Sequence, residues 1–117
     1  MIMSNQTSQL PHVAFSILLA LSLRERHGYE IIKQVQEDSN YKINLGPGAL
    51  YTSIKQLRKQ GLITEVTKAD DTKRRYYKLS GIGTKALQEE LAFYDSALSL
   101  ARKRMALQAF EIHVQTI

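Results

Sequence analysis

A mainly α-helical fold carrying one β-hairpin is predicted from three features of the sequence. Apolar residues recur at helical spacing over most of the chain, residues 62–79 alternate at period two around the turn formers Asp70-Asp71, and glycine or proline punctuates the joins. With 117 residues, 44% apolar and 23% charged, the chain matches one globular unit plus an appendage, and a disordered scaffold is excluded.

The elements follow in order. Residues 1–9 are polar and aperiodic, the composition of a flexible tail. Pro11 suits the first turn of a helix, because its fixed φ is helical and its missing N–H is not needed there. A first helix is predicted from Pro11 to Arg26, apolar on nearly every side (Val13, Phe15, Ile17, Leu18, Leu19, Leu21, Leu23) and therefore in need of burial on more than one side. His27-Gly28 breaks that pattern, and a second, more amphipathic helix runs from Tyr29 to about Ser39-Asn40. Gly46-Pro47-Gly48 opens a third helix whose apolar positions Leu50, Ile54 and Leu57 leave Tyr51, Thr52, Lys55, Arg58 and Lys59 elsewhere on its surface. Gly61 stands where a left-handed cap is wanted.

Leu62–Thr67 and Lys73–Leu79 form the hairpin. Ser80 caps a last helix from about Ile82 with no breaker up to Phe110, although Gly83 occupies the place where a capping box puts Glu or Gln. On that helix Leu87, Leu91, Tyr94, Leu98, Ala101 and Met105 are spaced alternately four and three apart, a heptad seam. At 1.5 Å per residue the helix spans about 43 Å, longer than a small domain is wide, so much of the seam calls for a second chain. The expected organisation is a tail over 1–9, a compact domain over 10–80 and a C-terminal dimerisation helix over 81–117.

Charge points to function. Of sixteen Lys and Arg, nine lie in residues 42–78 against three acids, whereas the segments on either side are close to neutral. Tyr51, Tyr76 and Tyr77 are interleaved with these cations, a composition that attracts a phosphate backbone. Three helices followed by a hairpin, with a basic third helix, make a winged helix-turn-helix, in which the third helix enters the major groove and the wing touches phosphate. The absence of cysteine excludes disulfides, thiolate nucleophiles and cysteine-ligated metals and fits the cytoplasm. Val13–Leu23, the densest apolar stretch, is about half a bilayer span, so no membrane partner is expected.

Four segments carry a family likeness: His27-Gly28-Tyr29-Glu30-Ile31-Ile32, Pro47-Gly48-Ala49-Leu50-Tyr51, Leu57-Arg58-Lys59-Gln60-Gly61-Leu62-Ile63 and Arg74-Arg75-Tyr76-Tyr77-Lys78-Leu79-Ser80. Together they resemble the PadR (phenolic acid decarboxylase regulator) family of bacterial transcriptional repressors. The single helix after the wing is similar to that of the smaller subfamily, and this likeness implies dimerisation through that helix and a planar aromatic or multidrug-type effector. Gly46 replaces the usual Ser or Thr, Thr52 replaces a common proline, and no tryptophan supplies an indole platform.

The DNA-contact candidates are Tyr29, Pro47, Gly48, Ala49, Tyr51, Thr52, Ser53, Lys55, Gln56, Lys73, Arg74, Arg75 and Tyr77. Ala49, Thr52, Ser53 and Gln56 are the base-reading set among them; Tyr29 suits core or phosphate. The dimer-interface candidates are Phe15, Leu18, Leu87, Leu91, Tyr94, Leu98, Ala101 and Met105. A small hydrophobic or phenolic ligand is expected at the dimer interface, between Phe15 of one copy and Phe93, Tyr94 and Ala97 of the other, residues that equally well fill a dimer core. The partners expected are therefore double-stranded DNA with a pseudo-palindromic operator, a second copy and that ligand.

Gly81-x-Gly83-x-x-Ala86 matches a dinucleotide-binding pattern, but no second parallel strand follows it. His12, His27 and His113 lack metal-ligand spacing, and no nucleophile, base and acid set is suggested, so no catalytic residue, metal or cofactor is expected. The competing function is a small dimeric adaptor whose basic wing binds an acidic protein.

Overall fold

The computed structural model describes the backbone of residues 10–116 and the side chains of residues 10–109. The tail expected over 1–9 lies outside the described residues. The elements are α1 (His12–Leu21), β1 (Arg26–His27), α2 (Gly28–Asp38), α3 (Pro47–Lys59), β2 (Ile63–Lys68), β3 (Asp71–Leu79) and α4 (Gly81–Thr116). Two compact units divide the chain after Leu87, so the first turns of α4 belong with the winged domain.

The three-stranded sheet has the order β1-β3-β2, antiparallel throughout. Its β1 is an element the sequence analysis missed, and it shortens α1, which ends at Leu21 and not at Arg26. The reason is local competition. Ser22 Oγ donates to the Leu19 carbonyl at the end of α1, and Arg26 turns inward to donate from Nε to the Ala20 carbonyl at 3.0 Å. Arg26 and His27 then pair with Tyr77 and Tyr76 of β3. The long-range partner, invisible in a local window, outweighs helix continuation.

His27 is not a breaker but the N-cap of α2. Its Nδ1 accepts from the Glu30 amide at 3.3 Å while Glu30 Oε1 accepts from the His27 amide at 3.1 Å, a capping box with histidine in the serine position. At the other end of α2, Asn40 N–H donates to the Glu37 carbonyl and Tyr41 N–H to the Gln36 carbonyl, a Schellman closure, with Asn40 at φ 57° and Tyr41 at φ 64°.

Ile17, Leu18, Ile31, Leu50, Leu57 and Ile63 are fully buried, so three helices and one strand meet in a single core that Tyr77 and Leu87 complete. Each such side chain contributes about 1.5–3 kcal/mol by leaving water. Gly61 has φ +76° and closes α3 as expected. Ser80 Oγ accepts from the Gly83 amide at 2.9 Å and caps α4. Gly83 forgoes the capping-box side chain for a steric reason: a Cβ there would lie 1.8 Å from the Leu62 carbonyl oxygen.

Candidate nucleic-acid interface

The pairing of β1 with β3 holds the start of α2 beside the wing, and α3 supplies the third wall. Between them lies an open cleft of about 830 Å³ in which Tyr29, Glu30 and Lys33 of α2 and Tyr51 of α3 face Lys73, Arg74 and Arg75 of β3. A second cleft of about 570 Å³ runs along α3, with Lys55, Arg58 and Lys59 on one side and Arg75 on the other. Tyr51 and Arg75 line both. Gly28 makes this packing possible, because a Cβ there would stand 2.7 Å from Tyr51 Oη and 3.2 Å from Leu50 Cδ2.

The cations divide into held and unheld groups. Lys68 Nζ donates to Glu25 Oε1 at 2.7 Å, and Arg58 Nη1 lies 3.1 Å from Glu65 Oε1. The hydrogen bond from Lys68 holds the Glu25 carboxyl below the ordinary carboxylate range and raises Lys68 in turn. For Glu30, partial burial opposes the charge, but hydrogen bonds from Arg24 and the His27 amide bring its carboxyl below the usual range. Arg74 is 3.0 Å from His27 Nε2 and 3.6 Å from Asp71 Oδ2. A neutral imidazole accepts at one nitrogen only, so Arg74 and the Glu30 amide compete for His27 and the guanidinium is loosely tied. Lys55, Lys59, Lys73 and Arg75 have no carboxylate within ion-pairing distance among the described residues. Tyr76 donates to Asp71 Oδ2 at 3.0 Å; burial and this bond push its phenol up.

On α3, the proposed contacts Pro47, Gly48, Ala49, Tyr51, Thr52, Lys55 and Gln56 are exposed, whereas Ser53 is half-buried toward the core side. Tyr29 stands out in solvent at 67% exposure, with Lys33 Nζ 5.8 Å above its ring, and is not a core residue. Tyr77 does not belong with the surface contacts. It is 2% exposed, because strand alternation turns it inward, and burial pushes its phenol up. Sequence analysis did not single out His27, Gly28, Glu30 or Lys33 as site residues; the available signal was the three-residue spacing of His27 and Glu30, hidden by the unusual histidine cap.

Of the dimer-interface candidates, Leu18 and Leu87 are buried in their own chain's core, which accounts for them without a partner, and Phe15 packs half-buried against that core. In the second unit Leu91, Tyr94, Leu98 and Met105 are exposed and Ala101 is half-buried. Phe93 and Tyr94 meet edge to face at 5.7 Å, beside an exposed Ala97. Partial burial and a hydrogen bond to Glu90 raise the Tyr94 phenol. Among the described residues no helix is long and apolar enough to cross a membrane.

Comparison with known proteins agrees with this architecture. An uncharacterised protein of Lysinibacillus sphaericus is 31% identical over 77 residues, covering 63% of this chain and 71% of that one. A PadR family transcription regulator from hypervirulent Clostridium difficile superposes with a TM-score of 0.69 at 22% identity, over 81% of this chain and 99% of that chain. Bacillus subtilis PadR, solved in complex with operator DNA, gives a TM-score of 0.61 at 26% identity over 69% of this chain and 47% of that one. The family model of the transcriptional regulator PadR-like family matches residues 17–89, the winged domain through the start of α4. By that match and the fold that carries it, the chain belongs to the PadR-like family of transcriptional regulators.

Proposed function

We propose that the protein is a cytoplasmic, sequence-specific DNA-binding repressor that acts as a homodimer. One observation carries the reading: Tyr51 of α3 and the unpaired cations Lys55, Lys59, Lys73 and Arg75 open onto the same pair of adjoining clefts. Helix α3 enters the major groove, and the wing strand β3 lays Lys73 and Arg75 along the flanking phosphates. The complex of Bacillus subtilis PadR with operator DNA supports this reading by kinship. The exposed seam Leu91, Tyr94, Leu98 and Met105 supports pairing with a second copy. Two α3 helices then meet a pseudo-palindromic operator with half-sites about 10 base pairs apart, or a multiple of that.

An apolar planar effector is assigned to the interface between the two copies, where Phe15 of one copy faces Phe93, Tyr94 and Ala97 of the other. It releases DNA only by favouring a dimer geometry that binds DNA poorly, and a hundredfold release needs about 2.7 kcal/mol of coupling. The test is binding of random-sequence duplex across a salt series. The reading expects affinity to fall steeply with salt, by about 0.9 logarithmic units per phosphate contact for each tenfold increase. A protein that ignores duplex DNA at low salt contradicts it and favours the adaptor.

A further inference from the structure

His27 is a buried titratable group that the DNA-binding reading leaves unused. It is 8% exposed, caps α2, and packs its ring edge to face on Tyr76 of β3 at 5.3 Å. The capping box fixes where its proton sits. Nδ1 accepts from the Glu30 amide at 3.3 Å and must be bare, so the hydrogen of the neutral ring is on Nε2. The Glu30 amide is one of the orphan donors of a helix start, whereas the Arg74 side chain is 61% exposed and has water to turn to. The competition for the ring therefore goes to the cap.

Nε2–H then faces a second donor. Arg74 Nη1 stands 3.0 Å from Nε2 with no hydrogen-bond acceptor of the described residues between them. The carboxylate oxygen that comes nearest, Glu30 Oε1, is 3.6 Å away and already accepts from the His27 amide at 3.1 Å. Its other oxygen is held by Arg24 Nη2 at 3.0 Å. A buried N–H without an acceptor is costly, so two converging donors mark the place of an oxygen that the chain itself does not provide. Both side chains line the cleft of about 830 Å³, where Lys33, Lys73 and Arg75 stand beside Arg74, and Glu30 is the one carboxylate of the described lining.

Resting on the DNA-binding reading above, we propose that His27 and Arg74 together seat one phosphate oxygen of the duplex backbone. That oxygen accepts from Nε2–H and from the Arg74 guanidinium at once, the imidazole acting as a fixed neutral donor and the guanidinium supplying the charge. His27 thereby ties the start of α2 and the wing to the same phosphate, whereas Lys73 and Arg75 meet the backbone as free cations.

Nuclear magnetic resonance of the imidazole nitrogens in the full, unsubstituted chain tests this. The proton is expected on Nε2 in the free protein, and the Nε2–H resonance is expected to move downfield when a duplex binds. A proton on Nδ1, protons on both nitrogens, or an Nε2–H signal indifferent to bound duplex would each overturn the proposal, and this measurement decides even where a variant does not fold. His27→Asn keeps a side-chain oxygen for the Glu30 amide but loses Nε2–H. That variant and Arg74→Ala each weaken duplex binding about tenfold per protomer bound. The double variant falls short of the roughly hundredfold product, because both side chains act on one oxygen. His27→Asn leaves the slope of log affinity against log salt unchanged, since a neutral donor displaces no counterion, whereas Arg74→Ala makes it shallower by about 0.9 per protomer. Losses that multiply in full, or a shallower slope in His27→Asn, count against the shared seat and overturn it. Duplex binding that bypasses His27 overturns this inference alone, whereas no duplex binding at all defeats the DNA-binding reading on which it rests.

Discussion

Within residues 10–87 one set of large apolar side chains closes into a core, whereas the large apolar side chains of residues 88–109 stand exposed. Leu50 is wholly buried in the first unit, and Leu98 is 50% exposed in the second. Both positions look alike in a periodicity plot, since each lies on an apolar helical stripe. The difference teaches that a stripe reports only that something must cover it. In the winged domain the cover is three other elements of the same chain, and on α4 the proposed cover is a second copy.

Substitution at the two leucines breaks or sharpens this contrast most strongly. Leu50→Ala opens a cavity in the closed core and is expected to cost about 3 kcal/mol in chemical denaturation, whatever the protein concentration. Leu98→Ala is expected to change single-chain stability by less than about 0.5 kcal/mol while shifting the monomer–dimer equilibrium toward monomer in sedimentation. Equal losses at both sites in monomeric protein would erase the distinction between the units.

A smaller effect is expected inside the first unit, at the join between α2 and α3. Tyr41 is 63% exposed and sits at φ 64°, a conformation that L side chains adopt at a cost of about 1 kcal/mol. Tyr41→Gly is therefore expected to raise the stability of the winged domain by about that amount. A loss would show that the tyrosine side chain makes a contact worth more than its strain.

The smallest effect concerns pH. The hydrogen bond from Lys68 holds the Glu25 carboxyl below its ordinary range, so it contributes stability that is present above that range and lost as pH falls through the folded pKa. Glu25→Gln is expected to lower the neutral plateau of the winged domain slightly, by the contribution the parent chain loses on acidification, and so to flatten the acid limb while leaving stability at its acid end unchanged. An acid limb as steep as in the parent would place the responsible carboxylate elsewhere.

Much of the winged domain was legible in the sequence because its signals are local. Leu50, Ile54 and Leu57 mark the buried stripe of α3, Gly61 its cap, and the alternation about Asp70-Asp71 the hairpin. What escaped is non-local. Nothing adjacent to Arg26 and His27 announces that they pair with Tyr77 and Tyr76, and that pairing shortened α1 and built the wall of the larger cleft. The inward turn of Tyr77 was hidden for a related reason, because positions 76 and 77 are both tyrosine and alternation alone does not say which one faces the core.

The central claim is that the face shared by α3 and the wing engages a phosphate backbone. The most direct measurement is the salt dependence of duplex binding by the Lys73→Ala, Arg75→Ala double variant against the parent chain, followed by fluorescence anisotropy. These two cations lack acidic partners, so their loss leaves the fold's own ion pairs intact. In a dimer the account expects the slope of log affinity against log salt to become shallower by up to about 3–4 units. An unchanged slope, with the variant folded as the parent is, would contradict it.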